Sequence, residues 1–168
     1  MMEKTRNIVL IGMPAVGKTT VGKLLAEKIG FKFLDSDDLI QSKEKKTLAQ
    51  IILDNGLDNF LTIEERYIVS ITCSNHVIAT GGSVVYSQKA MAHLSRISKV
   101  IYLSIPLDML LTRLSDMTSR GVAVRPGQKI EDLYKERTPL YDRYCDIKMD
   151  CHSMTAQQVV EQAVTHFF

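Results

Sequence analysis

Short apolar blocks alternate along the chain with longer amphipathic stretches, so strand-like and helix-like periods take turns. Ile8–Ile11 is a continuous apolar run that stops at Gly12, the pattern of a buried strand. Lys18–Ile29 places Val21, Leu24, Leu25 and Ile29 at helical spacing, with Gly30 as a C-terminal stop. Phe31–Leu34 reads as a second strand running into an acidic cluster. Thr47 suits the cap of a short helix that stops at Gly56. Phe60, Ile63, Tyr67, Ile68 and Ile71 define a longer helix over 57–72. Val77–Thr80 is a third strand, broken by Gly81-Gly82, and Val100–Leu103 a fourth. Pro106 opens a helix through about Asp116. Residues 117–129, rich in Ser, Gly and Arg, predict a mobile loop. A helix follows from about Ile130, with Pro139 expected to kink or restart it. Ile147–Met149 reads as a fifth, edge strand and Thr155–Phe167 as a closing helix. The stretch between the third and fourth strands receives no element. This alternation predicts an α/β fold: parallel strands with helices on both faces and ligands beyond the carboxyl ends of the strands.

Composition narrows the picture without assigning chemistry. At 168 residues and 45% hydrophobic, the chain suits a single domain over residues 1–168. A net charge of +2 argues against nucleic acid as a partner, and no apolar stretch reaches the length of a membrane span. The N-terminal segment is too polar for a secretory leader. Cys73, Cys145 and Cys151 have neither disulfide nor zinc spacing and suit a reducing, cytoplasmic setting.

The strongest chemical signal is Gly12-Met13-Pro14-Ala15-Val16-Gly17-Lys18-Thr19, a match to G-x-x-x-x-G-K-[ST] between a strand and a helix. Four specified positions match by chance in a chain this long with odds on the order of 1 in 200. Gly12 and Gly17 permit backbone conformations that turn N–H groups inward as a nest for phosphate oxygens. Lys18 is placed to reach the outer phosphates and the Thr19 hydroxyl to ligate Mg²⁺. Thr20, by spacing, is simply a helix residue. This loop alone does not choose among kinase, GTPase and ATPase, although an N-K-x-D base-reading motif is absent.

Asp35-Ser36-Asp37-Asp38 falls on the same rim of such a sheet. One carboxylate there suits the water shell of Mg²⁺, and a second, two residues on, suits acceptance of a proton from an attacking hydroxyl. A helix cap explains the cluster equally well, and Asp38 is assigned to the cap. Gly81-Gly82 ends the third strand, where backbone N–H groups are open to a small ligand or simply make a turn.

Taken in order, GMPAVGKTT (12–20), LDSDD (34–38), DNGLDNFLTIEE (54–65), ATGGS (79–83), Arg125-Pro126 and Arg137-Thr138-Pro139-Leu140-Tyr141 resemble the shikimate kinase family. The resemblance spans about residues 7–165. It implies a three-layer phosphate-loop sandwich with five parallel strands in the order 2-3-1-4-5, an acceptor-binding region at about 37–66 and a mobile lid at about 116–129. It implies ATP as phosphoryl donor with Mg²⁺, a small-molecule acceptor and a monomer. Gly12, Pro14, Ala15, Val16, Gly17, Lys18, Thr19 and Thr20 would then hold ATP, with Thr19 and Asp35 serving the magnesium ion. Asp37 would bind the reacting hydroxyl and act as base. Glu64, Gly81, Gly82 and Arg137 would hold the acceptor. Arg125 would enter from the lid, and Arg113 would pack on adenine. Lys18, Asp37 and Arg125 form the implied catalytic set.

One departure stands out. The family carries an arginine after the phenylalanine of the 54–65 segment, where it grips the acceptor's carboxylate, and this chain has Leu61. Losing a charged hydrogen bond costs ~1.5–3 kcal/mol. Ser83 also replaces the third glycine of the family's triplet. Three readings stay open: a shikimate kinase with a compensating basic group such as Arg66, a related kinase for another hydroxylated acceptor, or a weakly active nucleotide-binding relative.

Overall fold

A computed structural model describes residues 7–115 and 125–167. β1 (Asn7–Ile11) is buried along its whole length, which explains why it reads as an uninterrupted apolar run rather than an alternating one. It is followed by α1 (Lys18–Ile29) and β2 (Lys32–Asp35), and then by three consecutive helices, α2 (Ser36–Glu44), α3 (Leu48–Asn55) and α4 (Leu57–Val69). β3 (His76–Ala79) leads through a 3-10 turn (Val84–Tyr86) into α5 (Gln88–Ile97). β4 (Ser98–Ser104), α6 (Leu107–Ser115), α7 (Ile130–Tyr144), β5 (Ile147–Asp150) and α8 (Ala156–Phe167) complete the order.

The sheet has five strands in the order β2-β3-β1-β4-β5, and every pairing is parallel. The step from β1 to β2 and the step from β3 to β4 run in opposite directions across it. With right-handed crossovers, α1 and α5 are therefore carried to opposite faces. α8 packs on α1, while α4 packs on α5. The inner strands β1, β3 and β4 supply the main apolar core. Buried Asn7 pins the base of the sheet, donating to the carbonyls of Cys73 and Ile97 and accepting from the N–H of His76. A second, smaller apolar cluster of Ile40, Leu48, Ile51 and Phe60 joins α2, α3 and α4.

Several sequence expectations are corrected. The stretch after Gly81-Gly82 holds the 3-10 turn and α5, whose start is fixed by Ser87 Oγ accepting from the N–H of Ala90. Its buried apolar residues are Ala90, Met91 and Leu94, with Ile97 partly buried, a stripe too sparse to stand out in the sequence. β4 begins at Ser98 rather than Val100, because Asn7 pairs with Ser98 at the edge of the β1 register. Pro139 does not restart a helix: α7 runs through it. Both Pro139 and Lys135, whose carbonyl loses its helical partner, are exposed, so that carbonyl is open to solvent. Residues 116–124 of the expected lid lie outside the described residues.

Candidate active site

The phosphate loop joins β1 to α1, and its path is set by contact as much as by motif. Gly12 has φ 148°, and a methyl group there would lie 2.6 Å from the Leu103 carbonyl oxygen, so only glycine lets the loop leave β1 beside β4. Ala15 adopts a left-handed conformation at φ 65°. Lys18 is 8% exposed, and its Nζ donates to the carbonyls of Gly12 at 2.7 Å and Met13 at 2.8 Å, so the ammonium is folded back over the loop. Arg113, from α6, donates through Nη1 to the carbonyls of Val16 at 3.0 Å and Ala15 at 3.4 Å. It thus flanks the loop on the side away from the acceptor edge described below. Thr20 is exposed on the first turn of α1.

The acidic cluster has two functions in one residue. β2 passes into α2 without a linker, so Asp35 is the cap, and its Oδ1 accepts from the N–H groups of Asp37 at 2.9 Å and Asp38 at 3.4 Å. Asp38 is exposed on the first turn and does not cap, which corrects the assignment from sequence. The other Asp35 oxygen, Oδ2, accepts from Thr19 Oγ1 at 2.8 Å. This hard oxygen pair beside Lys18 fits a Mg²⁺ ion that keeps most of its waters, the usual choice of that ion. Among the described residues no cluster of three or more His, Cys, Asp or Glu side chains forms a metal cage.

Gly81 and Gly82 lie against the opposite side of this rim, and their lack of side chains is a steric requirement. A methyl group at Gly81 would lie 2.7 Å from Asp37 Oδ1 and 2.9 Å from Glu64 Oε2. At Gly82 it would lie 2.8 Å from Arg137 Nη1 and 3.0 Å from Pro14 Cδ. The glycine pair is therefore a backbone edge with two carboxylates at one end, a guanidinium at the other, and the phosphate loop alongside. Glu64 (2% exposed) and Arg137 (1% exposed) are among the most buried charged side chains described. Burial pushes the Glu64 carboxyl up to about 7; Ser83 opposes this through its hydrogen bond, Asp37 adds to it by like charge, and Arg137 opposes it.

Sequence reasoning missed the groups that hold this edge. Ser83 Oγ donates to Glu64 at 2.8 Å and 3.0 Å. Arg137 Nε donates to the Tyr86 hydroxyl at 3.1 Å. Tyr141, one turn after Arg137, is fully buried and donates to the Gly82 carbonyl at 2.6 Å. Its place in the segment 137–141 was the only available signal. Leu61 is half-buried against the smaller apolar cluster. Arg66 is not a substitute cation at this edge: it pairs with Glu44 at 3.0 Å and lies over the Tyr67 ring, exposed on the outer side of α4. Arg125 is exposed and faces Asp58, on the first turn of α4, at 3.7 Å. The phosphate loop, Asp35, Asp37, Glu64, Gly81, Gly82, Arg113 and Arg137 are brought to this one rim, and Thr20 follows Thr19 on the first turn of α1.

A family model described as shikimate kinase matches residues 14–167. The shikimate kinase of Thermodesulfovibrio yellowstonii is 34% identical over 165 residues, covering 96% of this chain and 95% of that protein. The solved shikimate kinase from Acinetobacter baumannii, in complex with shikimate, superimposes with a TM-score of 0.85 at 32% identity, covering 95% of this chain and 91% of that one. That of Aquifex aeolicus gives a TM-score of 0.79 at 28% identity, covering 95% and 94%. The five-strand order, the phosphate loop and these matches agree, and the chain belongs to the shikimate kinase family of ATP-dependent phosphotransferases.

Proposed function

We propose that this chain transfers the γ-phosphoryl group of ATP to a hydroxyl of shikimate, giving shikimate 3-phosphate and ADP. The observation that carries the reading is the Gly81–Gly82 edge, flanked by Asp37, Glu64 and Arg137 and set against Pro14 of the phosphate loop. Such an edge suits a small acceptor that carries both hydroxyls and an anionic group. Its carboxylates accept from the hydroxyls, and the arginine donates to the anion. The contact with Pro14 brings the acceptor next to the phosphates.

In this reading the acceptor oxygen attacks the γ-phosphorus, the bond to the bridging oxygen of ADP breaks, and the hydroxyl proton passes to Asp37. Phosphoryl transfer demands positioning and positive charge more than covalent chemistry. Lys18 supplies charge from inside the loop and Arg125 from the lid side, while Arg113 backs the loop next to the nucleotide. Thr19 and Asp35 would hold a magnesium ion, which when bound neutralises charge on the outer phosphates. The same reading takes the chain as a cytoplasmic monomer with two small-molecule substrates.

A different hydroxylated acceptor is the second reading. The half-buried Leu61 and the commitment of Arg66 to Glu44 favour it, since both leave the carboxylate with fewer cations than the family pattern has. A coupled assay of ADP release over shikimate, other hydroxylated acids and polyols separates the two. Shikimate-dependent release above the ATPase background is the expected result. Stimulation by another acceptor alone would establish the second reading. Nucleotide binding without turnover of any acceptor would point to a binding protein.

A further inference from the structure

The two buried charges of the acceptor edge come from helices far apart in sequence, yet both are anchored by a single turn. Ser83 and Tyr86 stand three residues apart, at the N-cap and the last residue of the 3-10 turn Val84–Tyr86, where positions i and i+3 fall on one side. Ser83 is buried, and its hydroxyl reaches both oxygens of Glu64. Tyr86 holds Arg137 twice. Its hydroxyl accepts from Nε, and its ring lies 5.1 Å from the guanidinium carbon. Binding through Nε occupies the edge of the fork that points away from Gly82, and Nη1 is the nitrogen that faces Gly82.

We propose that Ser83 and Tyr86 are positioning residues that fix Glu64 and Arg137 on either side of the glycine pair and so set the affinity for the acceptor. The inference rests on the reading of Gly81–Gly82 as the acceptor edge. It also gives Ser83, where the family triplet has glycine, a function in this chain. A glycine at position 83 has no hydroxyl to hold Glu64, and Asp37 and Arg137 are the other charged groups facing that carboxyl. One turn therefore couples both charges to the end of β3, and a small displacement of it would move both at once.

Two variants test this. Ser83→Ala removes one anchor, and Tyr86→Phe removes the hydroxyl while keeping the ring. Each is expected to raise the KM for shikimate about tenfold, as loss of a hydrogen bond to a charged group does. Turnover and the Kd for ADP should stay within about twofold. In carbon-13 titrations the Glu64 carboxyl of Ser83→Ala should titrate at higher pH than in the unaltered protein. In nitrogen-15 spectra the Arg137 Nε–H of Tyr86→Phe should exchange faster with solvent. A variant with unchanged KM and unchanged spectrum overturns the assignment for its residue. Equal losses in shikimate and ADP binding also overturn it, because they indicate general damage. The spectra need no acceptor, so an unaltered protein silent towards shikimate counts against the acceptor reading while the spectra alone still decide the anchors.

Discussion

The nucleotide side and the acceptor side of this rim are held by different kinds of bond. On the nucleotide side the chain folds onto itself: Lys18 donates to carbonyls five and six residues earlier, and Arg113 backs the same loop through main-chain oxygens. That loop rests on the main core, with Met13 and Val16 buried in it and Gly12 against the Leu103 carbonyl. On the acceptor side the critical contacts join side chains distant in sequence, 19 residues apart for Glu64 and Ser83 and 51 for Arg137 and Tyr86. They sit where the smaller apolar cluster of α2, α3 and α4 meets the sheet. The nucleotide half is thus held through main-chain oxygens, from Lys18 nearby in sequence and from Arg113 97 and 98 residues away, and the acceptor half through bonds between side chains. Opposite charges buried at the acceptor edge make it the more sensitive half to single substitutions and to pH.

The largest expected effect comes from Arg137→Met, which strips the buried carboxylate of Glu64 of its neighbouring cation. Breaking a buried charge pair from one side costs about 3–5 kcal/mol of stability. Acceptor binding should weaken by about ten- to a hundredfold more than nucleotide binding, measured by calorimetry on each ligand separately. Equal losses on both ligands would break the division into two halves.

Glu64→Gln gives the next effect, and its sign follows from linkage. Burial holds the folded carboxyl at about 7 against an ordinary 4.5, so the native state binds more protons between those values. The contribution of Glu64 to stability is therefore greatest in acid and is lost as pH rises through about 7. Removing the titration should improve stability at pH 8 relative to pH 5 by a swing on the order of 3 kcal/mol, read from urea midpoints of the variant and the unaltered protein at both pH values. A difference between the two proteins that does not change with pH would contradict the buried-carboxyl account.

That contrast also explains what the sequence revealed. The phosphate loop, the Thr47 cap and the Gly30 stop were legible because each depends on neighbours within a turn or a strand, whereas the strand order followed from the family resemblance. Asp35 and Asp37 were legible as a pair, but the cap fell to Asp35, since the abruptness of the β2–α2 junction appears only in three dimensions. Ser83 and Tyr141 were visible only as members of family segments and Tyr86 carried no signal, so none of their contacts was readable. Their partners, Glu64, Arg137 and the Gly82 carbonyl, are brought to them by α4, by α7 and by the end of β3. Pro139 misled in the opposite sense, since α7 continues through it with the freed Lys135 carbonyl on an exposed position.

The smallest effect sharpens the acceptor half alone. Leu61 lies half-buried on α4, one turn from Asp58 and from Glu64 and Glu65. Leu61→Arg should lower the KM for shikimate about tenfold, as one added charged hydrogen bond does, and leave the Kd for ADP unchanged. An unchanged or higher KM would indicate a pocket shaped for an acceptor without a carboxylate at that point.

Phosphorus-31 spectra of the unaltered protein with ATP, Mg²⁺ and shikimate follow the transferred group itself. The account predicts a new phosphomonoester resonance that grows in step with ADP and requires shikimate. Accumulation of ADP with inorganic phosphate alone, or a phosphoester only when another acceptor is supplied, would contradict it.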